Sequence, residues 1–529
     1  MSTGKSHHAH HAIIKSAGII GLATFCSRIL GLVRDIVIAR LFGVYLYAQA
    51  FVIAFKIPNL FRDLLGEGAA NAAFVPIFSE YIVKQDKKEF WELANVVFNL
   101  LLVILMAITV AGVIFAPLVV RLIAPGFAAD PEKLATTILL TRIIFPYVLL
   151  ICLAAYATSI LNTLKHFSIP AFAPCLLNIS IIVFAMLFGE GITGLASGVL
   201  VGGLLQLAIQ IPILYKKGFR IENFLVRFRH PTAKVIVKLM LPRLFSSCIY
   251  QLNNFVDSIF GSLAIIVGEG GVAGLYFAYR LIQFPLGIFS NALSQAILPE
   301  FSTQALEEGR DKIRHTFSFG LRATFFVMLP ASLGFMVLAR PLVSLLFGGG
   351  KFDAYAAAMT ANVLFFYSIG LFAYGATKIT QSCFFALKDT LTPAKVSFLA
   401  LFMNIVLNSI LMFPMKLAGI ALATSISGII SFLILFFILK NKLKPLEIKP
   451  MVFSFLRILL ASLFMAAACY LASKKISLGE AGLPEKLLGL AMLISLSVVS
   501  YAVFCFIFRV REMQEAWDWL VLKKGREGK

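Results

Sequence analysis

Ser27-Arg28-Ile29-Leu30-Gly31-Leu32-Val33-Arg34-Asp35 lies inside an apolar run from Ile13 to Phe42. A run of that length crosses a bilayer, which takes about 20 residues of helix. Two arginines and an aspartate inside it are expensive to bury, at ~2.5 to more than 10 kcal/mol per charge, so they face a water-filled cavity or a partner. On a helix Arg28 and Asp35 are seven residues apart and return to nearly one face. Arg34 is turned about 100° from Asp35, and Gly31 permits close packing or a bend. A buried ion pair that only locks helices together would satisfy these charges. A cationic site for an anionic substrate would also satisfy them, and the rest of the chain favours that reading.

Of 529 residues, 60% are hydrophobic and 14% are charged, against about 25% charged in a soluble chain. Mean hydropathy is +0.91. The fold class is therefore an all-α polytopic membrane protein. The apolar runs are helix-length rather than short and alternating, which excludes an outer-membrane barrel. The N-terminus is polar and the first apolar run too long for an h-region, so no cleavable signal peptide is expected. The seven cysteines all sit in apolar runs and read as small core residues. His7, His8, His10 and His11 belong to a polar leader over residues 1–12.

About fourteen spans follow between residues 13 and 508. Placing the N-terminus inside puts Lys84, Lys87, Lys88, Lys216, Lys217, Arg220, Arg310, Lys312, Arg314, Lys440, Lys442 and the basic tail on the cytoplasmic side. The opposite loops hold only Lys133, Lys351, Lys416, Lys474, Lys475 and Lys486. The positive-inside rule then puts both termini in the cytoplasm. It also explains the net charge of +21 as topology and contact with anionic membrane lipids, without nucleic acid.

An internal repeat organises the spans. Pro76-Ile77-Phe78-Ser79 matches Pro299-Glu300-Phe301-Ser302, Pro117-Leu118-Val119 matches Pro341-Leu342-Val343, Leu164-Lys165 matches Leu387-Lys388, and Gly194…Gly203 matches Gly419…Gly428. All offsets fall between 223 and 225. Six spans per copy give both copies one membrane orientation, the parallel-repeat plan of many transporters. The expected domains are an N-lobe over 13–217, a basic cytoplasmic linker over 218–234 and a C-lobe over 235–441. A helix pair follows over 451–508, then a basic tail over 509–529 in which Trp517 and Trp519 suit an interfacial amphipathic helix.

A two-lobed transporter puts its site between the lobes near the midplane. The ionisable candidates there are Arg28, Arg34, Asp35, Arg40, Lys56, Arg62, Asp63 and Glu67 in the first lobe, and Asp257, Arg280 and Lys378 in the second. Lys56 falls opposite Arg280 in the repeat. Interruptions at Pro58-Asn59, Gly66-Glu67-Gly68 and Pro285…Gly287 suit backbone that lines a cavity. The excess of cations fits an anion such as a diphosphate, gripped by arginine forks. No phosphate-binding loop, zinc-protease helix or dinucleotide glycine fingerprint is present, so the reading is a transporter and not an enzyme.

Ser27-Arg28-Ile-Leu-Gly31-x-x-Arg34-Asp35, Phe55-Lys56-Ile-Pro58-Asn59-Leu-x-Arg62, Glu67-Gly68-Ala69, Ala73-Phe74-Val75-Pro76, Ala124-Pro125-Gly126-Phe127 and Phe167-Ser168-Ile169-Pro170-Ala171-Phe172-Ala173-Pro174 closely resemble the MurJ (MviN) family. These are bacterial lipid II flippases of the MOP exporter superfamily. The resemblance covers essentially the whole chain. It implies two six-helix lobes around a cationic cavity, a last hairpin forming a groove for the undecaprenyl tail, and an inner-membrane location. It maps the family's cavity residues onto Arg28, Arg34, Arg62 and Arg280, with Asp35 and Glu67 as accompanying acids. Ser27 and Lys56 join them as substrate-contacting candidates. Tyr279 and Gln283 stand where some members carry acids. The resemblance also suggests a sodium ion on Asp257, Asn404, Asn408 and Thr424, although Asn408 replaces an acid; no other cofactor is implied. The expected partners are lipid II and membrane lipids, with the chain acting as a monomer. The competing class is a multidrug antiporter of the same superfamily, which would need an acidic, aromatic cavity for organic cations. A scaffold that only recruits synthesis enzymes would leave the buried charges unexplained.

Overall fold

The computed structural model describes residues 3–62, 70–84, 86–189, 191–221, 232, 236, 252–253, 255–307, 310–446, 448–475 and 483–515. The chain forms two compact units, Met1–Ala264 and Ile265–Lys529. The first unit carries α1 (Thr3–Phe42), α2 (Leu46–Phe61), α3 (Ala70–Lys84), α4 (Lys87–Ile114), α5 (Ala116–Ile123), α6 (Pro131–Ile144), α7 (Tyr147–Thr163), α8 (Ser168–Phe188), α9 (Ile192–Ala208) and α10 (Ile211–Lys217). The second carries α11 (Gly271–Pro285), α12 (Asn291–Gln304), α13 (Asp311–Leu346), α14 (Ala354–Ile369), α15 (Leu371–Ala386), α16 (Leu391–Lys442), α17 (Ile448–Lys475) and α18 (Leu483–Ile507). Among the described residues the only β-pairing is an isolated bridge between Gly349 and Phe352.

Nine helices among the described residues are long and apolar enough to span a bilayer, and α14 with α15 pass together across a 44° bend. The 52-residue α16 is two spans, because Lys416 breaks it with φ 52 and ψ −133. A straight helix of that length would be ~78 Å long, yet Lys442 at one end hydrogen-bonds Asp389 just before the other. Helix α1 already starts at Thr3, so the backbone of the polar leader continues the first helix. The side chains of His7, His8, His10 and His11, the interruption at Gly66-Glu67-Gly68, most of the 218–234 linker, and Trp517 and Trp519 lie outside the described residues. Phe398, Phe402, Phe413, Phe437 and Phe453 are all more than half exposed. Apolar surface on that scale marks a membrane-facing belt.

The repeat is visible in the local geometry. Asp130 caps α6 by accepting from Lys133 N at 3.1 Å, and Asp353 caps α14 by accepting from Ala356 N at 2.8 Å. Lys165 and Lys388 end α7 and α15 in the left-handed region at φ 57 and 58. Each is followed by the same closing bond, His166 N to Leu161 O at 2.8 Å and Asp389 N to Phe384 O at 3.0 Å. Glycine is the usual residue at such a cap. Here two lysines occupy it, with their charge beside the negative end of the helix dipole. Phe78 and Phe301, equivalent by the repeat, are each fully buried in the core of their own unit.

The interruption expected at Pro285 and Gly287 is a π-helical turn over Leu286–Ser290 that joins α11 to α12 without a break. The six described cysteines are unpaired; Cys152, Cys175, Cys383, Cys469 and Cys505 are buried and Cys26 is partly so.

Candidate functional site

In the first unit the site grows from the contact of α1 with α8. Arg34 and Asp35 are 4% and 1% exposed. Arg34 Nε and Nη2 both donate to Asp35 Oδ1, at 3.0 and 2.8 Å, and Nη1 donates to Asn178 Oδ1 of α8 at 3.0 Å. The guanidinium also lies 5.8 Å from the Phe55 ring centroid. Asn178 Nδ2 donates back to the Ser27 carbonyl at 3.2 Å and to Pro174 O at 3.3 Å. Arg34 is thus held by a carboxylate, an amide and an aromatic face, which fixes its direction. Ser27 contributes its carbonyl to that frame. A Cβ on Gly31 would sit 3.9 Å from the Asn178 amide, which is ordinary contact, so close packing there does not require glycine.

Arg28, two turns before Asp35 on the same helix, is only partly buried. Arg62, at the end of α2, is also partly buried. Lys56 donates to Ser258 Oγ, lies 5.5 Å from the Phe255 ring centroid and is close enough to Asp257 for their charges to attract. These partners belong to helical residues 255–261, which the first unit takes in although the repeat counts them with the second lobe. Asp63 and Glu67 lie outside the described residues.

In the second unit Arg280 Nη2 donates to Tyr276 Oη at 3.0 Å and Nη1 to Gln283 Oε1 at 3.4 Å. Its guanidinium stands 5.0 Å from the Tyr276 ring centroid. Both of these Arg280 partners are neutral, and Gln283 is one of the positions where some family members carry an acid. Asn404 Nδ2 donates to Thr424 Oγ1 at 3.0 Å, and Asn408 Nδ2 donates to Asn404 Oδ1 at 3.1 Å. The pair spaced by four does share a face, and the three form an inter-helix hydrogen-bond chain across the break at Lys416. Their oxygens are neutral donors of the kind a hard cation takes. The one carboxylate expected with them, Asp257, belongs to the first unit.

Sequence reasoning missed Asn178, Ser258 and Tyr276. A signal existed for Asn178, the lone amide in the apolar stretch Leu176-Leu177-Asn178-Ile179. A serine and a tyrosine in apolar spans give no comparable signal, since both are common helix-packing residues there.

The chain matches the family described as lipid II flippase MurJ over residues 38–488. It is 36% identical over 476 residues to the probable lipid II flippase MurJ of Buchnera aphidicola subsp. Acyrthosiphon pisum, covering 89% of this chain and 92% of that one. It is 34% identical to the lipid II flippase MurJ of Burkholderia cenocepacia, covering 79% and 82%. A solved structure described as lipid II flippase MurJ in an inward closed conformation superposes with a TM-score of 0.78 at 29% identity, over 92% of this chain and 98% of that one. An inward-facing multidrug MATE transporter of the MOP superfamily shares the fold, with a TM-score of 0.68 at 16% identity over 79% and 95%. The chain is a multi-pass membrane transporter that belongs to the MurJ family of lipid II flippases.

Proposed function

We propose that the protein carries lipid II from the cytoplasmic to the outer face of the bacterial inner membrane by alternating access of its two lobes. The observation that carries this reading is Arg34, buried and oriented by Asp35 and Asn178, with Arg28 half-buried on the same helix. A fixed cation and a more accessible one on the same helix suit the diphosphate of the headgroup, which arginine forks grip through paired, charge-assisted hydrogen bonds. Arg28, Arg62 and Arg280 contact the headgroup in this scheme, while Arg34, Asp35 and Ser27 hold the frame. Lys56, already engaged with Ser258, anchors residues 255–261 and contacts substrate only if that bond opens. Glu67 accompanies the arginines as an acid that sets their orientation.

The excess of Lys and Arg in alternate loops supports a topology with both termini in the cytoplasm. The polyprenyl tail stays in lipid along α17 and α18, and one chain suffices for transport. Membrane potential drives the cycle, with Asn404, Asn408, Thr424 and Asp257 as the candidate ligands should sodium bind. An antiporter of organic cations would need acids where this chain presents arginines.

The test is a depletion strain complemented by Arg28→Ala or Arg62→Ala, with membrane abundance measured alongside. Loss of growth at normal abundance supports the cationic site; normal growth of both variants contradicts it.

A further inference from the structure

Arg322 of α13, Ser454 of α17 and Glu512, five residues beyond α18, meet inside the second unit. Arg322 Nη1 donates to Glu512 Oε1 at 2.8 Å, and the same oxygen accepts from Ser454 Oγ at 2.7 Å. The three residues are 7%, 8% and 8% exposed. The pair is single-bonded, and Arg322 Nε and Glu512 Oε2 are buried with no hydrogen-bond partner among the described residues. Apolar side chains would fill this space at lower cost, because a buried ion pair must offset its own desolvation. What a charge pair adds over apolar contact is registry: only one alignment of the elements brings the charges together.

The chain is shaped to deliver Glu512 there. Arg509 adopts φ 50, Val510 N bonds Cys505 O at 2.9 Å, and the reversal turns Val510 and Glu512 into the core. The start of the segment read as a basic tail is thus buried against the second unit. The rest of the seam runs the length of α13. The Phe325 and Phe455 ring centroids are 5.0 Å apart, and Tyr501 Oη donates to Phe326 O at 2.7 Å. Leu338 and Leu345 pack with Cys469, Leu490 and Leu493 at the other end.

We propose that Arg322 and Glu512 are positioning residues that lock the α17–α18 hairpin in one register on α13, so that the hairpin travels with the second unit as one rigid body during transport. This rests on the flippase reading for its activity assay but not for its distance measurement.

Two readouts test it in the full-length chain, in a functional background with the native cysteines replaced. Spin labels at Phe319 of α13 and Phe506 of α18, both lipid-exposed, should give one narrow distance distribution, unchanged by lipid II or an applied potential. Arg322→Met should broaden it. A distance that shifts with transport state overturns the proposal, whatever the substrate proves to be. In flipping assays, Arg322→Glu and Glu512→Arg should each lower the rate at least tenfold, and the double charge swap should recover to within threefold. A swap that recovers neither insertion nor flipping overturns the pairing. Because the comparison is with the single variants, a folding defect in either one leaves the test intact.

Discussion

Arg34 Nη1 and Asn178 Oδ1 are 3.0 Å apart across 144 residues of sequence, and the same amide reaches the Ser27 carbonyl. One side chain on α8 therefore sets both the rotation of α1 and the direction of its buried guanidinium. Asn178→Ala should leave Arg34 short of an acceptor, a cost of about 1–3 kcal/mol for a buried group. Flipping should fall about tenfold or more with the protein still inserted. Wild-type flipping by Asn178→Ala, measured at equal membrane abundance, would show that the Asn178 amide is dispensable for orienting Arg34.

The repeat makes a paired prediction about helix packing. A Cβ on Gly203 would stand 2.5 Å from Tyr147 Cδ2, and one on Gly428 would stand 2.4 Å from Tyr374 Cε1. Each glycine lets a tyrosine ring approach its helix more closely than a Cβ would allow. Alanine at either position should cost about 1–3 kcal/mol through overpacking, read as a lower unfolding temperature in detergent. The two losses should be similar in size. A large loss at one site and none at the other would mean the two units do not share this contact.

Asp389, in the turn before α16, pairs with Lys442, the last residue of that helix. Burial pushes the Asp389 carboxyl up, but Lys442 and the Thr392 backbone and hydroxyl outweigh it and hold it at about 2, against an ordinary 3.8. A depressed carboxylate contributes stability that is complete above its unfolded value and is lost as pH falls through the folded one. The hairpin should therefore weaken between about pH 4 and pH 2. Asp389→Asn should lower the unfolding temperature at pH 6 and remove that part of the acid sensitivity. Identical acid profiles for the two proteins would rule the pair out as a contributor.

Much of this was legible in the sequence, and the reasons are physical. The match of Leu164-Lys165 with Leu387-Lys388 showed the repeat because the same left-handed cap recurs at Lys165 and Lys388. Arg28, Arg34 and Asp35 stood out because charge in an apolar run is rare and expensive. Which charges are consumed locally was not legible. That Lys56 is taken up by Ser258, or that Arg322 meets Glu512 across 190 residues, depends on tertiary neighbours that no local pattern encodes. Gly31 shows the converse, since the close packing it permits is not used against Asn178, which leaves 3.9 Å for a Cβ.

The driving force distinguishes a potential-driven cycle from a sodium-driven one. Moving one charge across the potential is worth ~2.3 kcal/mol per 100 mV. A diphosphate leaving a negative interior and an empty cationic site returning to it would both be favoured. Flipping in vesicles should slow at least tenfold when the potential is collapsed and should persist when sodium is replaced by choline. Activity that survives without potential and stops without sodium would instead assign the reset to Asn404, Asn408, Thr424 and Asp257.

The most direct test of the cationic site is the distribution of lipid II between the two membrane faces in cells depleted of this protein and carrying Arg28→Ala, Arg28→Lys, Arg62→Ala or Arg62→Lys. The alanine variants should accumulate lipid II on the cytoplasmic face at normal protein abundance. The lysine variants should restore outward exposure only in part, because an ammonium lacks the bidentate fork. Wild-type exposure of lipid II on the outer face with both alanine variants, in cells holding no second flippase, would contradict the account.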